Sequence, residues 1–327
     1  MTTSHLTSTR TPASVLRIGT GMALLSAFTF GSSGPMAKAL IESGWTSAAA
    51  VLVRIGGAAL LLGAVALVMR RGRLRMSAGS LRHVVLYGVV AMAGVQLAFF
   101  NAVRTLDVGV ALLLEFTAPV LLVLWTALRT RTLPARATSA GALLSVVGLV
   151  FVLDLAGAGS VDPFGVLWGL LAAVCVAAFF VLSERQHDDL PPIVMAAGGT
   201  LVGAIVIAVA GSLGIIPLAF ATGDVMLGGT PTSWWVPALW LVVVSTSIAY
   251  LAGIGAVQRL GTRLSSFVGL TEVLFAVLTS WVLLSEVPGP IQVLGGILIV
   301  TGIVVVRRSE ARVVRDNATI LDPAAHA

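Results

Sequence analysis

The chain has few charged residues and almost no cysteine. Only 10% of its 327 residues are Asp, Glu, Lys or Arg, and 57% are hydrophobic, whereas soluble domains average about 25% charged residues. A soluble core cannot absorb so much apolar sequence, so a soluble globular protein is excluded. The single cysteine, Cys175, excludes an intramolecular disulfide and a cysteine metal site. The composition therefore predicts a polytopic membrane protein in a lipid bilayer.

Motifs of enzymes and of nucleic-acid-binding proteins are also missing. The four histidines fall in predicted loops or tails or at the very start of a predicted span, and the sequence contains neither a phosphate-binding loop nor a zinc motif. The arginines are spread over short loops rather than gathered in one patch, which argues against nucleic acid as a partner. We therefore expect no enzymatic activity, no cofactor and no bound metal.

Ten apolar segments are long enough to cross a membrane, which takes about 20 residues. The predicted spans are residues 18–40, 46–69, 82–103, 108–128, 136–155, 163–184, 191–214, 234–257, 263–285 and 288–307. Residues 1–17 and 309–327 are predicted to be disordered tails. Residues 215–233, rich in Pro, Gly and Thr, are predicted to form an irregular loop. The predicted fold class is an all-α membrane protein with ten transmembrane helices.

Positive and negative charges alternate between successive loops. The tails and every second loop hold 17 of the 20 Lys and Arg residues, while the opposite loops hold Glu42, Asp107, Asp154, Asp162, Asp224 and Glu286. Basic loops stay on the cytoplasmic side of a membrane, so both termini are predicted to be cytoplasmic. The excess of arginine over lysine favours a bacterial source, and hence the bacterial inner membrane as the location.

The two halves of the chain resemble each other. A shift of 154 residues aligns 102–148 with 256–302 and gives 11 identities in 47 positions, where chance gives roughly one in ten in so apolar a sequence. The predicted halves, 18–156 and 163–308, hold five spans each. Because five is odd, the second half enters the membrane from the opposite side. Such an inverted repeat is typical of secondary transporters, which bind substrate near the midplane between the halves.

Charged side chains inside the predicted spans mark a candidate substrate cavity. An ionised side chain at a helix centre costs about 2.5–3.5 kcal/mol on insertion scales, so such residues usually mark pathways. Arg54 and Glu115 lie at matching depths. They form either a structural ion pair or a cavity wall that faces a charged or zwitterionic substrate, and the sequence leaves both readings open. Glu272 lacks an obvious cationic partner and is the candidate for proton exchange. Lys38 is placed to snorkel to the membrane interface.

Helix-breaking residues interrupt two spans of the first half. Gly31, Ser32, Ser33, Gly34 and Pro35 make a poor continuous helix in span one. Pro119 does the same in span four. Transporters bind substrate at interrupted helices, although the same residues can form a packing notch for a neighbouring helix.

Seven further polar residues are predicted to line the cavity. They are Ser32, Ser33, Gln96, Thr117, Ser247, Tyr250 and Thr271. Tyr250 aligns with Gln96, and Thr271 aligns with Thr117, under the 154-residue shift. A single hydroxyl can instead bond back to its own helix, so the sequence leaves the role of each hydroxyl open.

The sequence resembles a transporter family at two places. The chain resembles the EamA-type transporters of the drug/metabolite transporter superfamily in its ten spans, which are arranged as five plus five. It also resembles them in the unit Leu283-Leu-Ser-Glu-Val-Pro-Gly-Pro-Ile-Gln-Val-Leu-Gly-Gly-Ile-Leu-Ile-Val-Thr-Gly302. The run Val110-Ala-Leu-Leu-Leu-Glu-Phe-Thr-Ala-Pro119 is similar to the threonine/homoserine exporter branch. Two positions depart from the family pattern: Val273 follows Glu272 where the family has proline, and Thr132 stands where it has an acid.

The resemblance implies secondary transport of small polar metabolites by alternating access. Export of amino acids such as threonine or homoserine is the leading hypothesis, with proton exchange as the driving reaction. Other metabolites, drugs and uptake stay open within the transporter class, and a channel or a non-transporting scaffold stays open outside it. The expected partners are a small-molecule substrate and lipid, and the sequence leaves a homodimer open.

Overall fold

A computed structural model describes residues 12–69, 76–131, 136–152, 162–183, 190–269 and 271–321. These residues form fourteen α-helices, two π-helical segments and one β-hairpin. The helices of the first half are α1 Pro12–Gly31, α2 Ser33–Glu42, α3 Ser47–Met69, α4 Ala78–Tyr87, α5 Val95–Ala102, α6 Val108–Glu115, α7 Ala118–Thr130 and α8 Arg136–Val152. Those of the second half are α9 Pro163–Ser183, α10 Pro192–Ser212, α11 Trp235–Leu239, α12 Ala249–Gly269, α13 Thr271–Leu284 and α14 Pro290–Leu321.

Six helical segments of the described chain are long and apolar enough to cross a membrane. They are Val15–Glu42, Ser47–Met69, Ala78–Ala102, Val108–Arg129, Pro192–Ser212 and Trp235–Leu260. Four further apolar helices are shorter: Arg136–Phe151, Pro163–Phe179, Thr271–Leu284 and Pro290–Val305. The protein is therefore a predominantly helical membrane protein. The count of ten spans and the cytoplasmic position of the termini stay predictions.

A β-hairpin occupies part of the segment 215–233, and the prediction of an irregular loop in an all-α fold is wrong to that extent. Strand β1, Asp224–Leu227, pairs antiparallel with strand β2, Thr230–Ser233. The two residues between them, Gly228 and Gly229, have φ angles of 58° and 75°. Two consecutive positive φ angles match the twist of a two-residue hairpin and need glycine. The same Gly and Pro content that suggested an irregular loop therefore builds the turn.

The segment before and within the hairpin packs over Trp45. The indole Nε1 of Trp45 donates to the carbonyl oxygen of Ala221 at 2.7 Å, and its ring contacts those of Phe220 and Trp234. Val225 in β1 is fully buried. These contacts attach the connection between α10 and α11 to the short connection between α2 and α3.

Three helices extend beyond their predicted boundaries. Helix α1 begins at Pro12, so the prediction of a disordered tail is wrong for residues 12–17. Helix α12 runs through residues 258–262, which were predicted to be a loop, and α14 continues through residues 309–321 of the predicted tail. Arg, Leu, Gln, Glu and Ala in these segments favour helix, and the single Gly261 costs only about 1 kcal/mol. Residues 1–11 of the other predicted tail lie outside the described residues.

The two π-helical segments occupy equivalent positions in the two halves. They span Gly88–Gly94 and Trp240–Ile248, and the 154-residue shift maps the first onto residues 242–248. A π-helix changes which carbonyl oxygen each N–H reaches, and short π segments are frequent at functional sites. The backbone thus repeats in the same register as the sequence.

Helices α8 and α14, which are equivalent in the two halves, cross in antiparallel fashion. A Cβ atom at Gly148 would lie 2.6 Å from the carbonyl oxygen of Gly295, and one at Gly302 would lie 2.8 Å from the nitrogen of Ser145. The hydroxyl of Ser145 reaches the carbonyl oxygen of Ile299 at 3.5 Å. The C-terminal part of α8 therefore faces the N-terminal part of α14, and the N-terminal part of α8 faces the C-terminal part of α14. Such reciprocal contacts are those of a two-fold axis perpendicular to both helices.

Substitution of Gly148 tests this crossing. We expect Gly148→Ala to lower the free energy of unfolding by about 1–3 kcal/mol, because an added Cβ must push the two backbones apart. Gly21→Ala in α1 is the control, because nothing lies within 4 Å of its Cβ position; there the change should be neutral or add up to about 1 kcal/mol. Thermal unfolding of the purified variants in detergent measures both. Equal melting temperatures would contradict a close crossing.

Candidate substrate-binding cavity

A cavity of about 300 Å³ lies between the two halves, at the lower end of the range for ligand sites of about 300–1,000 Å³. Its walls come from α1 to α6 and the first π segment in one half, and from α9, α12 and α13 in the other. Eight predicted site residues line it: Gly31, Ser33, Gly34, Arg54, Gln96, Glu115, Tyr250 and Glu272. The fold therefore gathers charged, amide and hydroxyl groups that are far apart in sequence.

Arg54 reaches from α3 to the second π segment. Its Nε donates to Oγ1 of Thr246 at 2.9 Å, and Nη2 donates to the carbonyl oxygen of Ser245 at 3.2 Å. The guanidinium also lies 5.4 Å from the ring centre of Phe100. Arg54 is only 4% exposed, yet its five N–H donors exceed the two bonds described. Part of the guanidinium is therefore available to a ligand in the cavity.

The direct ion pair between Arg54 and Glu115, one of the two readings that the sequence left open, is not formed. Among the described residues, the only carboxylate within 4.0 Å of a Lys or Arg nitrogen is Glu286, which pairs with Lys38. Arg54 instead bonds to the π segment of the other half. Both Glu115 and Glu272 nevertheless interact electrostatically with its charge. One cation thus faces two carboxylates across the cavity.

Glu272 lies in the first turn of α13, directly after the end of α12. A helix N-terminus favours negative charge, because its first N–H groups have no partner within the helix. Gly31 of α1 packs against this turn: a Cβ there would lie 2.7 Å from the carbonyl oxygen of Glu272. The rings of Phe28 and Phe275 are perpendicular to each other, with their centres 5.5 Å apart. The end of α1 therefore packs closely against the start of α13.

Gln96 places an unused acceptor in the cavity. The residue is 7% exposed, and within the described ranges its Oε1 has no hydrogen-bond partner. Buried polar atoms without a partner are rare in folded proteins. The amide can therefore accept a hydrogen bond from a ligand that enters the cavity.

Both interrupted helices contain the predicted breaks. Helix α1 ends at Gly31 and α2 begins at Ser33, while α6 ends at Glu115 and α7 begins at Ala118. Pro35 and Pro119 both lie in the first turn of the helix that follows, where the missing N–H removes no helical bond. The glycines also allow close packing: a Cβ at Gly34 would clash with the side chain of Val108. At Gly34 the helix interruption and the packing notch, which the sequence offered as alternatives, therefore occur in the same place.

Three predicted hydroxyl residues, Thr117, Thr271 and Ser247, bond to a carbonyl oxygen three to five residues earlier in the chain and do not line the cavity. Oγ1 of Thr117 donates to the carbonyl oxygen of Leu114, and Oγ1 of Thr271 donates to that of Val268, both at 2.7 Å. These two bonds are equivalent under the 154-residue shift, and each lies at a helix interruption. Ser247 donates to the carbonyl oxygen of Val242 at 2.8 Å. The threonines therefore stabilise the breaks.

Ser32, the fourth predicted hydroxyl outside the cavity wall, connects the two halves. Its Oγ accepts from the indole Nε1 of Trp240 at 2.8 Å and lies 3.2 Å from Oγ of Ser245. Ser32 also donates to the carbonyl oxygen of Thr29. The residue between α1 and α2 is thus held by the second π segment.

Sequence reasoning missed the aromatic part of the cavity wall. Tyr87, Phe99 and Phe179 line the cavity, and the rings of Tyr87 and Phe179 lie 5.6 Å apart. The hydroxyl of Tyr250 donates to Sδ of Met92 at 3.2 Å. The chain contains only two tyrosines, Tyr87 and Tyr250, and both line this cavity. Their rarity was a signal that could have found Tyr87.

A partly buried polar cluster, formed by Lys38, Leu106, Val108 and Glu286, lies next to the cavity. Lys38 of α2 pairs with Glu286 and donates to the carbonyl oxygen of Leu106 at 3.0 Å, while Glu286 accepts from the N–H of Val108 at 3.0 Å. Lys38 therefore does not snorkel, because its ammonium group finds partners inside the protein. Burial raises the pKa of Glu286 above its ordinary value, and Lys38 opposes this shift.

The Lys38–Glu286 cluster joins both halves one turn beyond the cavity. Lys38 follows the cavity residue Gly34 by four positions, and Val108 precedes the cavity residue Leu112 by four. Glu286 belongs to the connection between α13 and α14 of the other half. The cluster therefore lies about one helical turn beyond one end of the cavity.

Comparison with known proteins gives a family match and several relatives. The model of the EamA-like transporter family matches residues 17–154 and 163–308. The "Threonine/homoserine exporter RhtA" of Escherichia coli (strain K12) is 27% identical over 269 residues, which cover 79% of this chain and 84% of the relative. The "Uncharacterized inner membrane transporter YicL" of Salmonella typhimurium (strain LT2) is 27% identical over 305 residues, covering 88% and 95%.

A solved crystal structure also shares the fold. It superposes with a TM-score of 0.55 at 23% sequence identity, covering 90% of this chain and 97% of the other. The helical architecture is thus that of a known protein structure.

Proposed function

The chain belongs to the EamA-like transporter family, and from this premise we propose that it exports small zwitterionic metabolites, with threonine and homoserine as the leading substrates. It is a multi-pass transporter of the bacterial inner membrane and a member of the drug/metabolite transporter superfamily, whose members are transporters rather than enzymes. The substrate class, the direction and the mechanism below are our proposal.

The observation that carries the proposal is the charge arrangement of the cavity. The free part of the Arg54 guanidinium suits a substrate carboxylate, because planar N–H donors match its two oxygens. Glu115 suits the substrate ammonium group. The unused oxygen of Gln96 suits a side-chain hydroxyl, which threonine and homoserine both carry. A relative that exports threonine and homoserine, by its name, supports the same substrates.

Alternating access of two inverted halves is the proposed mechanism. The antiparallel crossing of α8 and α14 supports inversion, because equivalent helices that run in opposite directions enter the membrane from opposite sides. The proposed topology has ten spans, five in each of the halves 18–156 and 163–308, with both termini cytoplasmic. The interruptions at Ser32 and at residues 116–117 supply positions where a helix can bend.

Proton exchange is the proposed driving reaction, with Glu272 as the carrier. Two carboxylates and one guanidinium leave one negative charge uncompensated in the cavity, and a zwitterionic substrate adds no net charge. One bound proton therefore neutralises the site. Glu272 has no ion pair among the described residues, so its proton can be exchanged without breaking a salt bridge.

The Lys38–Glu286 cluster is the proposed outer seal. Glu286 lies in a loop on the predicted outer side, and the 154-residue shift pairs it with Thr132, which lies outside the described residues and is not an acid. The outer side thus has an acid at this position of the repeat, and the equivalent position on the inner side does not. We infer that the resting transporter is closed to the outside and takes substrate from the cytoplasm.

Lys38→Met tests the seal. Breaking a buried ion pair costs about 3–5 kcal/mol, and even 1.4 kcal/mol corresponds to a tenfold change in equilibrium. We therefore expect a cysteine at the cavity position Ser33 to react at least about tenfold faster with an impermeant maleimide added outside cells. The assay needs Cys175→Ala as background, because Cys175 is the only native cysteine.

Lys38→Arg is the matched control, because it keeps the charge and should keep labelling slow. Equal labelling rates with and without the Lys38→Met substitution, with Ser33→Cys accessible from the inside in both proteins, would contradict an outer seal.

Flux into proteoliposomes tests the function itself. Saturable exchange of labelled threonine or homoserine, inhibited by other zwitterions, is expected. Inhibition by hydrophobic drugs but not by amino acids would instead support a broad drug/metabolite exporter. Flux without saturation would indicate a channel, and no flux with a broad substrate panel would indicate a scaffold.

A further inference from the structure

A second cavity, of about 310 Å³, lies outside the substrate cavity between α6, α13 and α14. We call it the lateral slot. Its wall on α14 extends from Gln292 to Thr301, nine residues or about 14 Å at 1.5 Å per residue. This length is close to the depth of one hydrocarbon leaflet, about 15 Å. The wall residues Ile297 and Leu274 are 58% and 67% exposed, so the slot opens towards the bilayer.

The lateral slot is apolar along its length and polar at one end. Leu113, Val273 and Val300 form part of the apolar walls, whereas Asp107 and Glu286 lie at the end next to the Lys38–Glu286 cluster. An apolar channel with one polar end fits an amphiphile whose chain lies along the walls and whose head group reaches the carboxylates.

A buried hydroxyl in the lateral slot has no partner. Ser280 of α13 is 2% exposed, and within the described part of the chain its Oγ makes no hydrogen bond. Serines inside apolar helices commonly bond back to a carbonyl oxygen of their own helix, as Thr279 next to it does. A free hydroxyl in a cavity wall is therefore a donor that a ligand can use.

The charge at the polar end favours a cationic head group. Glu286 is neutralised by Lys38, but Asp107 has no ion pair within the described residues and makes no side-chain bond to the N-terminus of α6. The two carboxylates are close enough to interact electrostatically. The polar end therefore keeps one uncompensated negative charge, which repels an anionic head group and attracts an amine.

We propose that the lateral slot binds one acyl chain of an outer-leaflet phospholipid that carries a primary amine. The ammonium group lies between Asp107 and Glu286, and Ser280 donates a hydrogen bond to an ester carbonyl oxygen. Because Glu286 belongs to the outer seal, the bound lipid adds a contact beside that seal. The site does not depend on which substrate the protein transports.

Lipid-dependent thermal unfolding in detergent tests the head-group preference. The probes are dioleoyl phosphatidylethanolamine, dioleoyl phosphatidylcholine and dioleoyl phosphatidylglycerol, which share their chains and differ in the head group. The ammonium group adds hydrogen bonds to a charged partner, so the amine lipid should stabilise the protein at a concentration at least about tenfold lower, which corresponds to about 1.4 kcal/mol. Asp107→Asn should abolish this preference, and asparagine still suits the N-terminus of α6.

A steric pair of variants tests the position of the chain. Ile297→Trp fills the lateral slot, whereas Leu294→Trp lies on the same helix outside it with similar exposure and serves as the control. In native mass spectrometry, which counts lipids on the folded protein, Ile297→Trp should retain one phosphatidylethanolamine fewer than the control. Equal stabilisation by all three lipids, or equal retention by the two tryptophan variants, would overturn the proposal.

Discussion

Arg54→Ala is expected to reduce zwitterion transport to the background of empty liposomes. The guanidinium is the only cation that lines the cavity within the described residues, and it faces both Glu115 and Glu272. Its removal leaves two carboxylates without a positive charge and takes away the partner of the substrate carboxylate. Each hydrogen bond between the guanidinium fork and a substrate carboxylate contributes about 1.5–3 kcal/mol, so the loss of two such bonds corresponds to a loss of transport of at least about 100-fold.

Two companion variants separate charge from geometry. Arg54→Lys keeps the charge but loses the planar fork that bonds Thr246 and Ser245, so an intermediate loss of flux is expected. Thr246→Val removes one acceptor and leaves the whole guanidinium, so the transporter should keep most of its flux. Melting temperatures and size-exclusion profiles of all three variants show whether each is folded. A folded Arg54→Ala protein with substantial saturable flux would refute the role of Arg54.

The class of the protein and its repeat could be predicted from sequence, because both depend on properties summed over many residues. Low charge and long apolar runs indicate a membrane protein regardless of how individual side chains pack. The 154-residue shift predicted from identities also relates the two π segments, and the bonds of Thr117 and Thr271, in the structure. An error in the assignment of a few residues does not change composition, hydropathy or repeat identity summed over the whole chain.

The partner of Arg54 could not be predicted from sequence. Matching depth along two spans suggested Glu115, but depth says nothing about which helix faces which. The second π segment offers the carbonyl oxygen of Ser245 as an acceptor, and helical periodicity alone does not reveal a π-helix. The true neighbours of Arg54 come from the other half of the chain, 191 and 192 residues away in sequence.

The contact of Lys38 was missed for a related reason. A cation near the end of a span has a simple local solution, which is to snorkel. Glu286 becomes its partner only because the connection between α13 and α14 packs against α2 of the other half. The lateral slot could not be predicted from sequence either, because its polar residues Asp107, Ser280 and Gln292 lie in three separate elements of the sequence.

Glu272→Gln is expected to uncouple transport from the pH gradient while leaving substrate binding in place. Glutamine has nearly the shape of a protonated glutamate but cannot exchange a proton. Accumulation driven by a pH gradient should fall to the level seen without a gradient, whereas exchange of labelled for unlabelled substrate should persist. Glu272 supports such a separation because its carboxylate lines the cavity from the first turn of α13 and is engaged in no ion pair of the described chain.

Glu115→Gln provides the matched comparison, since it removes the other carboxylate of the same cavity. If Glu115 holds the substrate ammonium group, this variant should lose apparent affinity in both assays and keep its response to the gradient. Two results would sink the assignment of Glu272: gradient-driven accumulation that survives in Glu272→Gln, or an uncoupled phenotype that follows Glu115 instead. The two acids are not equivalent under the repeat, since the 154-residue shift pairs Glu115 with Gly269 and Glu272 with Ala118. That asymmetry is the reason to expect one carboxylate to bind substrate and the other to carry the proton.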